Sequence, residues 1–200
     1  MIAISAADLT KVYDGTKEVF SGVTFSVNSG DRVGIIGPNG AGKSTLLNVL
    51  SGEDHCDSGN IYVAKDLTIG YFHQNDLFTS TRTIYEEMLS VFQDVIDMEG
   101  RIHELSDEIT RLSGHGKGLE KALDEYDRLQ AEFERRNGYS YKSEISGVLS
   151  SLDFPDSVKE KYTSDLSGGE RTRLALGMLL LRKPDLLFLD DLRIIWISVR

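Results

Sequence analysis

The sequence predicts an α/β fold, and three stretches predict it. Short β-type runs fill the first third between Gly, Asn and Asp punctuation. A glycine-rich segment stands between one such run and a helix. A short apolar run ending in an acid, "LLFLD", closes the regular part of the chain. Two hundred residues suit one domain, or one domain with an insertion, and are enough to bury a real core.

Taken in order, "IAISAADL", "VTFSV", "DRVGIIG", "NIYVA" and "LTIGYF" read as strands. The one clear helix among them starts near Lys43 and should bury Leu46, Leu47, Val49 and Leu50. The middle of the chain changes character. Ile84, Met88, Val91, Val95, Met98, Ile102, Leu105, Ile109 and Leu112 stand alternately four and three apart, an a/d seam with charged residues between. "SGHGKG" (residues 113–118) breaks that helix, and Leu119, Ala122, Tyr126, Leu129 and Phe133 form a second seam. The pattern predicts an antiparallel coiled-coil hairpin; the plainer alternative is two amphipathic helices packed on a core. The last third returns to α/β character. A loop, "TSDLSGGERTR", leads to an apolar helix and then to the strand at residues 186–190, expected to be buried on both faces as parallel strands are.

Composition narrows the classes. A formal net charge of −10 argues against a nucleic-acid binder that works by bulk electrostatics, while leaving local basic contacts open. No apolar run approaches the length of a membrane span; the longest, around residues 174–181, is interrupted by Gly177 and reads as a buried helix. The N-terminal "MIAISAADLTKVYDG" has no basic n-region and does not read as a signal peptide. A single cysteine, Cys56, excludes an internal disulfide and fits a reducing compartment, so a cytoplasmic location is expected.

"GPNGAGKST" (residues 37–45) matches G-x-x-x-x-G-K-[ST] directly after a strand and opening a helix, the context the motif requires. Gly37, Gly40 and Gly42, with Pro38, Asn39 and Ala41 between them, let backbone N–H groups turn inward around phosphate oxygens. Lys43 is expected on the β- and γ-phosphates of ATP, and the Ser44 hydroxyl, next to Thr45, on Mg²⁺. Asp190, at the end of the apolar strand, is expected in the magnesium shell opposite Ser44.

With "LSGGE" (residues 166–170) added, the chain resembles ATP-binding-cassette ATPases from Ile2 to about Asp190. The resemblance implies a P-loop ATPase cassette with an antiparallel β subdomain. It also implies that Ser167, Gly168, Gly169 and Glu170 close over the γ-phosphate held by a second cassette, a helix N-terminus aimed at an anion. By the same resemblance Tyr13 stacks on adenine, and Gln74, in "GYFHQND", touches Mg²⁺ and the attacking water. His73 beside it reads as a loop residue.

The helical insertion between Gln74 and the signature, and the wording "LSGGERTRLALGMLLLRKPDLLFLD", are similar to the F subfamily. Its members are soluble tandem-cassette ATPases that act on ribosomes, some of them protecting ribosomes from antibiotics. The resemblance therefore implies a second cassette and the ribosome, with its rRNA and tRNA, as partners of the parent protein, and no membrane. The rival reading is the ATPase subunit of a membrane transporter. Arg101, Arg111, Lys117, Lys121, Arg128, Arg135 and Arg136 on the insertion either meet RNA phosphates or form a solvated face, since acids are interleaved with them. The expected layout is residues 1–83 and 137–190 as two parts of one nucleotide-binding domain, residues 84–136 as the helical arm, and residues 191–200 as a tail.

The tail departs from the pattern. The family continues with a catalytic glutamate and, in the F branch, "EPTNHLDI"; this chain has "DLRIIWIS". The codons GAC CTA CGA ATC ATC TGG ATA TCG encode the observed residues, and one A inserted after the first GA turns them into codons for EPTNHLDI. An out-of-frame tail is therefore expected, with Asp191 in the place of the glutamate and one methylene shorter. The later loops of the family and its second cassette are absent, so the chain is expected to bind nucleotide without efficient hydrolysis. Only residues 191–193 precede the β-prone run at 194–199, too few for the dozen-residue crossover that a parallel neighbour needs. The tail should turn back as an antiparallel hairpin or trail off unpaired, leaving the central sheet incomplete.

Overall fold

The computed structural model describes residues 1–73, 80–112, 118–191 and 194–199, with side chains up to residue 190. Gln74 and most of the glycine-rich break at 113–118 lie outside the described residues. The chain forms two compact units, Met1–Leu77 with Arg182–Arg200, and Phe78–Leu181.

The first unit contains β1 (Ile2–Tyr13), β2 (Lys17–Asn28), β3 (Arg32–Ile35), α1 (Lys43–Ser51), β4 (Ser58–Val63), β5 (Ile69–Phe72), and two late strands, β6 (Leu186–Asp191) and β7 (Ile194–Val199). β1 pairs antiparallel with β2 on one edge and β4 on the other, making a three-stranded antiparallel sheet. Alternation sets which face of β1 is buried. Ile4 and Ala6 point into the core; both pairings then shift register, between Ala6 and Leu9 and between Ala7 and Thr10, and Leu9 and Lys11 take over as the buried residues. At this irregularity Asp8 has φ 54 and Gly59 on β4 has φ 92. A Cβ at position 59 would lie 2.4 Å from the Asp8 carbonyl oxygen, a backbone atom with little room to yield. Gly59→Ala is therefore expected to destabilise this unit by at least about 1–3 kcal/mol from backbone conformation alone, before the overlap is counted. Urea unfolding followed by hydrogen exchange at β1 and β4 measures it, and an unchanged midpoint would show that the strands can separate at this point freely.

The second sheet has the order β3-β7-β6-β5. β5 and β6 are parallel, with Ile69 opposite Leu186 and Phe72 opposite Leu189. Leu186 and Phe188 are fully buried, in one cluster with Ile4, Leu9, Leu47 and Leu50. Leu187 and Leu189, on the other face of β6, are only partly buried. The expectation of burial on both faces is thus corrected: α1 and the residues of β1 cover one face, and β6 has a parallel neighbour on one edge only.

The tail also departs from expectation. β7 turns back antiparallel along β6, from Asp191 opposite Ile194 to Leu186 opposite Val199. Of the two arrangements left open, the hairpin is the one formed. But β7 also pairs antiparallel with β3, from Arg32 opposite Ser198 to Ile35 opposite Ile195. The sheet is therefore continuous rather than incomplete. A link too short for a crossover still permits reversal, and a strand so reversed finds two unpaired edges of backbone donors and acceptors beside it.

The second unit is helical: α2 (Ile84–Ser90), α3 (Gln93–Leu112), α4 (Leu119–Arg135), α5 (Tyr141–Ser151) and α6 (Gly168–Leu181). α2 opens on a capping box in which the Thr83 hydroxyl accepts from the Glu86 N–H and the Glu86 carboxylate accepts from the Thr83 N–H. The first heptad seam does not run in one helix. It divides near Val91, and Ile84 and Met88 on α2 join a core with Ile145, Leu149, Leu166 and Leu174 instead of continuing the hairpin.

α3 and α4 pack against each other antiparallel, as the ion pairs Arg101–Glu125 and Asp94–Arg136 require. Val95 and Phe133, near the base of the pair, belong to the unit's core, whereas Leu105 and Ala122 lie farther out. The pair thus shows core packing at its base and helix-on-helix packing beyond it.

At the base, Glu132 accepts from Arg135 and Arg136, and these hydrogen bonds pull its carboxyl from 4.5 to about 2. A carboxyl depressed on folding contributes stability above its ordinary value and loses it as pH falls toward the depressed one. The base of the helix pair is therefore expected to loosen between pH 4.5 and about 2. Glu132→Gln should flatten that part of an acid titration followed by circular dichroism. An identical titration for the variant would assign the loosening to other groups.

Candidate functional site

The loop between β3 and α1 carries the phosphate-binding motif. Gly40 has φ 81 and Gly42 has φ 86. A Cβ at position 42 would meet Val19 Cγ1 at 2.6 Å, so glycine lets the loop lie directly on β2. Gly42 caps α1 through its carbonyl, which accepts from the Leu46 N–H at 2.8 Å, and no side chain caps the helix start. The start of α1 can thus receive an anion without competition from a capping side chain. The Lys43 ammonium donates to the carbonyl oxygens of Gly37 and Pro38, both at 3.0 Å, which holds it over the loop. Ser44 is exposed at the start of the helix.

These residues fit a magnesium nucleotide: a fixed cation, uncapped amides, and hydroxyl and carboxylate oxygens of the kind magnesium takes. Gly37, Gly40, Ala41, Gly42, Lys43, Ser44 and Thr45 would hold the phosphates, and Ser44 with Asp190 the ion. α1 packs against β6, the strand that carries Asp190. Asp191 closes β6 in backbone terms, but its side chain lies outside what is described. The proposed glutamine, Gln74, lies outside the described residues altogether.

Tyr13 stands at the end of β1, 40% exposed. Its hydroxyl donates to Asp54 Oδ2 at 3.1 Å. Asp54 Oδ1 accepts from Lys11 Nζ at 2.7 Å, and Lys11 also donates to the His55 carbonyl at 2.5 Å. Lys11 is 7% exposed, on the buried face of its strand, where a charge needs a partner. The hydrogen bond from Lys11, then that from the His55 N–H, hold the Asp54 carboxyl below its ordinary value, and the bond to Asp54 raises Lys11. No motif in the sequence marks Lys11 or Asp54. The available signal was a lysine two residues from Leu9 and from Tyr13, in phase with the apolar face.

Farther along the unit, Tyr71 donates to Asn48 Oδ1 at 2.7 Å, tying β5 to α1, and its ring lies 3.8 Å from that of His73. His73 in turn sits 3.0 Å from Glu53. His73 is thus held by neighbouring side chains, in keeping with a loop residue.

In the second unit, Ser167 begins α6 with a capping box. Glu170 Oε2 accepts from the Ser167 N–H at 2.7 Å and from its hydroxyl at 2.6 Å, and the Ser167 hydroxyl accepts from the Glu170 N–H at 3.3 Å. Those bonds hold the Glu170 carboxyl below its ordinary value. Gly168 and Gly169 have open space where side chains would stand. The helix start can therefore admit another group closely, while Glu170 keeps the serine in place. Among the described residues no helix is long and apolar enough to cross a membrane.

A glycine loop seated on a helix start, with a lysine held over it and an acid at the end of a neighbouring strand, defines a phosphate-binding α/β protein. Residues 20–192 match the family described as ABC transporter, and the chain belongs to that family, with its P-loop ATPase cassette fold. Family members bind ATP with Mg²⁺. The chain is 32% identical over 185 residues to ABC transporter F family member 2 of Arabidopsis thaliana, covering 92% of this chain and 27% of that protein. It is 33% identical over 188 residues to the tylosin resistance ATP-binding protein TlrC of Streptomyces fradiae, covering 94% of this chain and 34% of that protein. It is 30% identical over 177 residues to the energy-dependent translational throttle protein EttA of Mycobacterium tuberculosis (strain CDC 1551 / Oshkosh), covering 88% and 30%. The chain thus spans about a third or less of the length of these relatives. Among solved structures, cbiO1 of Clostridium perfringens, part of an ABC transporter complex, superposes with a TM-score of 0.58 at 20% identity, covering 95% of this chain and 65% of that one.

Proposed function

We propose that this chain is the nucleotide-binding cassette of an F-type ABC ATPase, whose whole protein couples ATP to the work of the ribosome. The observation that carries the reading is the antiparallel α3–α4 pair, standing in sequence between β5 and the signature helix α6. Relatives named for an F family, for translation and for resistance to tylosin support it. In this reading α3 and α4 form an arm toward ribosomal RNA or tRNA, with α2 left in the core at its base, and a second cassette faces Ser167, Gly168, Gly169 and Glu170. Tyr13 stacks on adenine; Lys43 holds the phosphates; Ser44, Gln74 and Asp190 would hold magnesium. Magnesium, when bound, would neutralise phosphate charge. The protein works in the cytoplasm.

The full-length protein should sediment with ribosomes in the presence of a non-hydrolysable ATP analogue. Removing residues 93–135 should abolish sedimentation while leaving nucleotide binding intact. Capture of a membrane permease in place of ribosomes would replace this reading with the transporter one.

Asp191 takes the place of the family's water-orienting glutamate, and the run from Asp191 is the out-of-frame product of an EPTNHLDI-coding segment. This chain should turn ATP over at near-background rate, and a version with the reading frame restored through the later loops and second cassette measurably faster. Equal rates, or gene codons that cannot be reframed, would refute this part.

A further inference from the structure

The base-binding end of the site contains a device that the phosphate motif does not explain. Three groups converge on one carboxylate: Asp54 Oδ1 holds the Lys11 ammonium at 2.7 Å, Oδ2 holds the Tyr13 hydroxyl at 3.1 Å, and the His55 N–H donates to Oδ1 at 2.7 Å. The Lys11 ammonium is also 5.1 Å from the centre of the Tyr13 ring. The phenol is therefore held at its hydroxyl and faced by a cation, yet remains 40% exposed. Lys11 pairs across the hairpin with Phe20, and Phe20 lies 3.3 Å from where a Cβ of Gly42 would stand. The fixed ring stands on β1 and the phosphate loop lies on β2, its paired neighbour.

We infer that Asp54 is a positioning residue for nucleotide recognition, fixing Tyr13, through its hydroxyl and through Lys11, as a rigid platform for the purine ring of a nucleotide bound on the phosphate loop. A tyrosine on an exposed strand end would otherwise lose rotamer freedom when a base stacks on it; fixing it beforehand removes that loss from the binding equilibrium. The ammonium facing the ring adds to the effect by drawing on its electron density. Removing Asp54 would free the ring and leave Lys11 buried without its carboxylate. The inference rests on reading Tyr13 as the base-stacking residue, and the experiment separates the two.

ATP and inorganic tripolyphosphate, which has no base, are titrated by calorimetry into the chain and into its Tyr13→Ala, Tyr13→Phe, Asp54→Ala and doubly substituted Tyr13→Ala/Asp54→Ala forms. Loss of stacking at Tyr13→Ala should weaken ATP about 2- to 10-fold. Asp54→Ala should weaken ATP to a similar extent, Tyr13→Phe less, and the double substitution no more than Tyr13→Ala alone. Tripolyphosphate should bind all five forms alike. Parallel losses of ATP and tripolyphosphate in Asp54→Ala would show a merely structural role and overturn the inference. So would additive losses in the double substitution. If Asp54→Ala does not fold, Tyr13→Phe carries the test, since it removes only the hydroxyl: ATP affinity equal to the parent's would overturn the proposal. An unchanged ATP affinity for Tyr13→Ala would overturn the stacking reading itself, and this inference with it.

Discussion

The Lys43→Ala chain is expected to bind ATP roughly ten- to a hundred-fold more weakly than the unsubstituted chain, the largest loss of any single change in the site. The reason is charge and placement together. Hydrogen bonds to charged groups contribute about 1.5–3 kcal/mol each, and Lys43 is the cation that the loop itself positions over its own centre, by way of the Gly37 and Pro38 carbonyls. A nucleotide phosphate would take up donors already aimed at the loop, so little reorganisation opposes it. The same substitution should leave folding nearly unchanged, because the ammonium holds only two loop carbonyls. Calorimetric titration with ATP, alongside a urea denaturation curve, checks both halves. Tyr13→Ala gives the internal comparison, with about 0.5–1.5 kcal/mol lost through stacking. A larger loss at Tyr13 than at Lys43 would contradict the phosphate-loop assignment.

Phe188→Ala should produce the largest loss of stability in the first unit, about 3–5 kcal/mol, by removing a fully buried ring from a packed core. Phe188 also meets Tyr71 edge-on, with ring centres 6.0 Å apart, and Tyr71 in turn holds Asn48 on α1. Loss of the ring should therefore loosen β5, β6 and α1 together, and with them the strand carrying Asp190 and the helix that starts at Lys43. Hydrogen exchange read segment by segment is the appropriate measurement. Protection should fall along β5, β6 and α1 and persist in α5 and α6, whose core is built from Ile145, Leu149 and Leu174. Uniform loss across both units would show that they unfold as one.

Much of the phosphate site was legible without coordinates because its requirements are local. A backbone that must turn inward demands glycine at set spacing, and a lysine placed directly on the helix start has little choice of direction. At Ser167 and Glu170 the structure adds a capping box at the start of α6, which the reading of that segment as a phosphate signature does not contain. The strands of β1 to β6 were legible from alternation and from apolar runs, since period and turn residues act over a few positions.

What the tertiary structure alone decided lies where local rules permit more than one outcome. A heptad seam serves a partner helix or a core equally well, so Ile84 and Met88 showed the right spacing for the arm and yet pack with α5 and α6, which lie more than fifty residues on. The β-prone run at Ile194–Val199 had no intrinsic direction; its short link to β6 and the vacant backbone edges of β3 and β6 made it an antiparallel strand paired on both sides. The Lys11–Asp54–Tyr13 cluster joins positions 43 and 41 residues apart, a pairing that no sequence spacing encodes. From the sequence alone came the reading of residues 37–45 as a phosphate cradle, because its chemistry resides in adjacent backbone groups. Only folding settled which surfaces meet, because burial and edge pairing are satisfied by whichever partner the rest of the chain brings within reach.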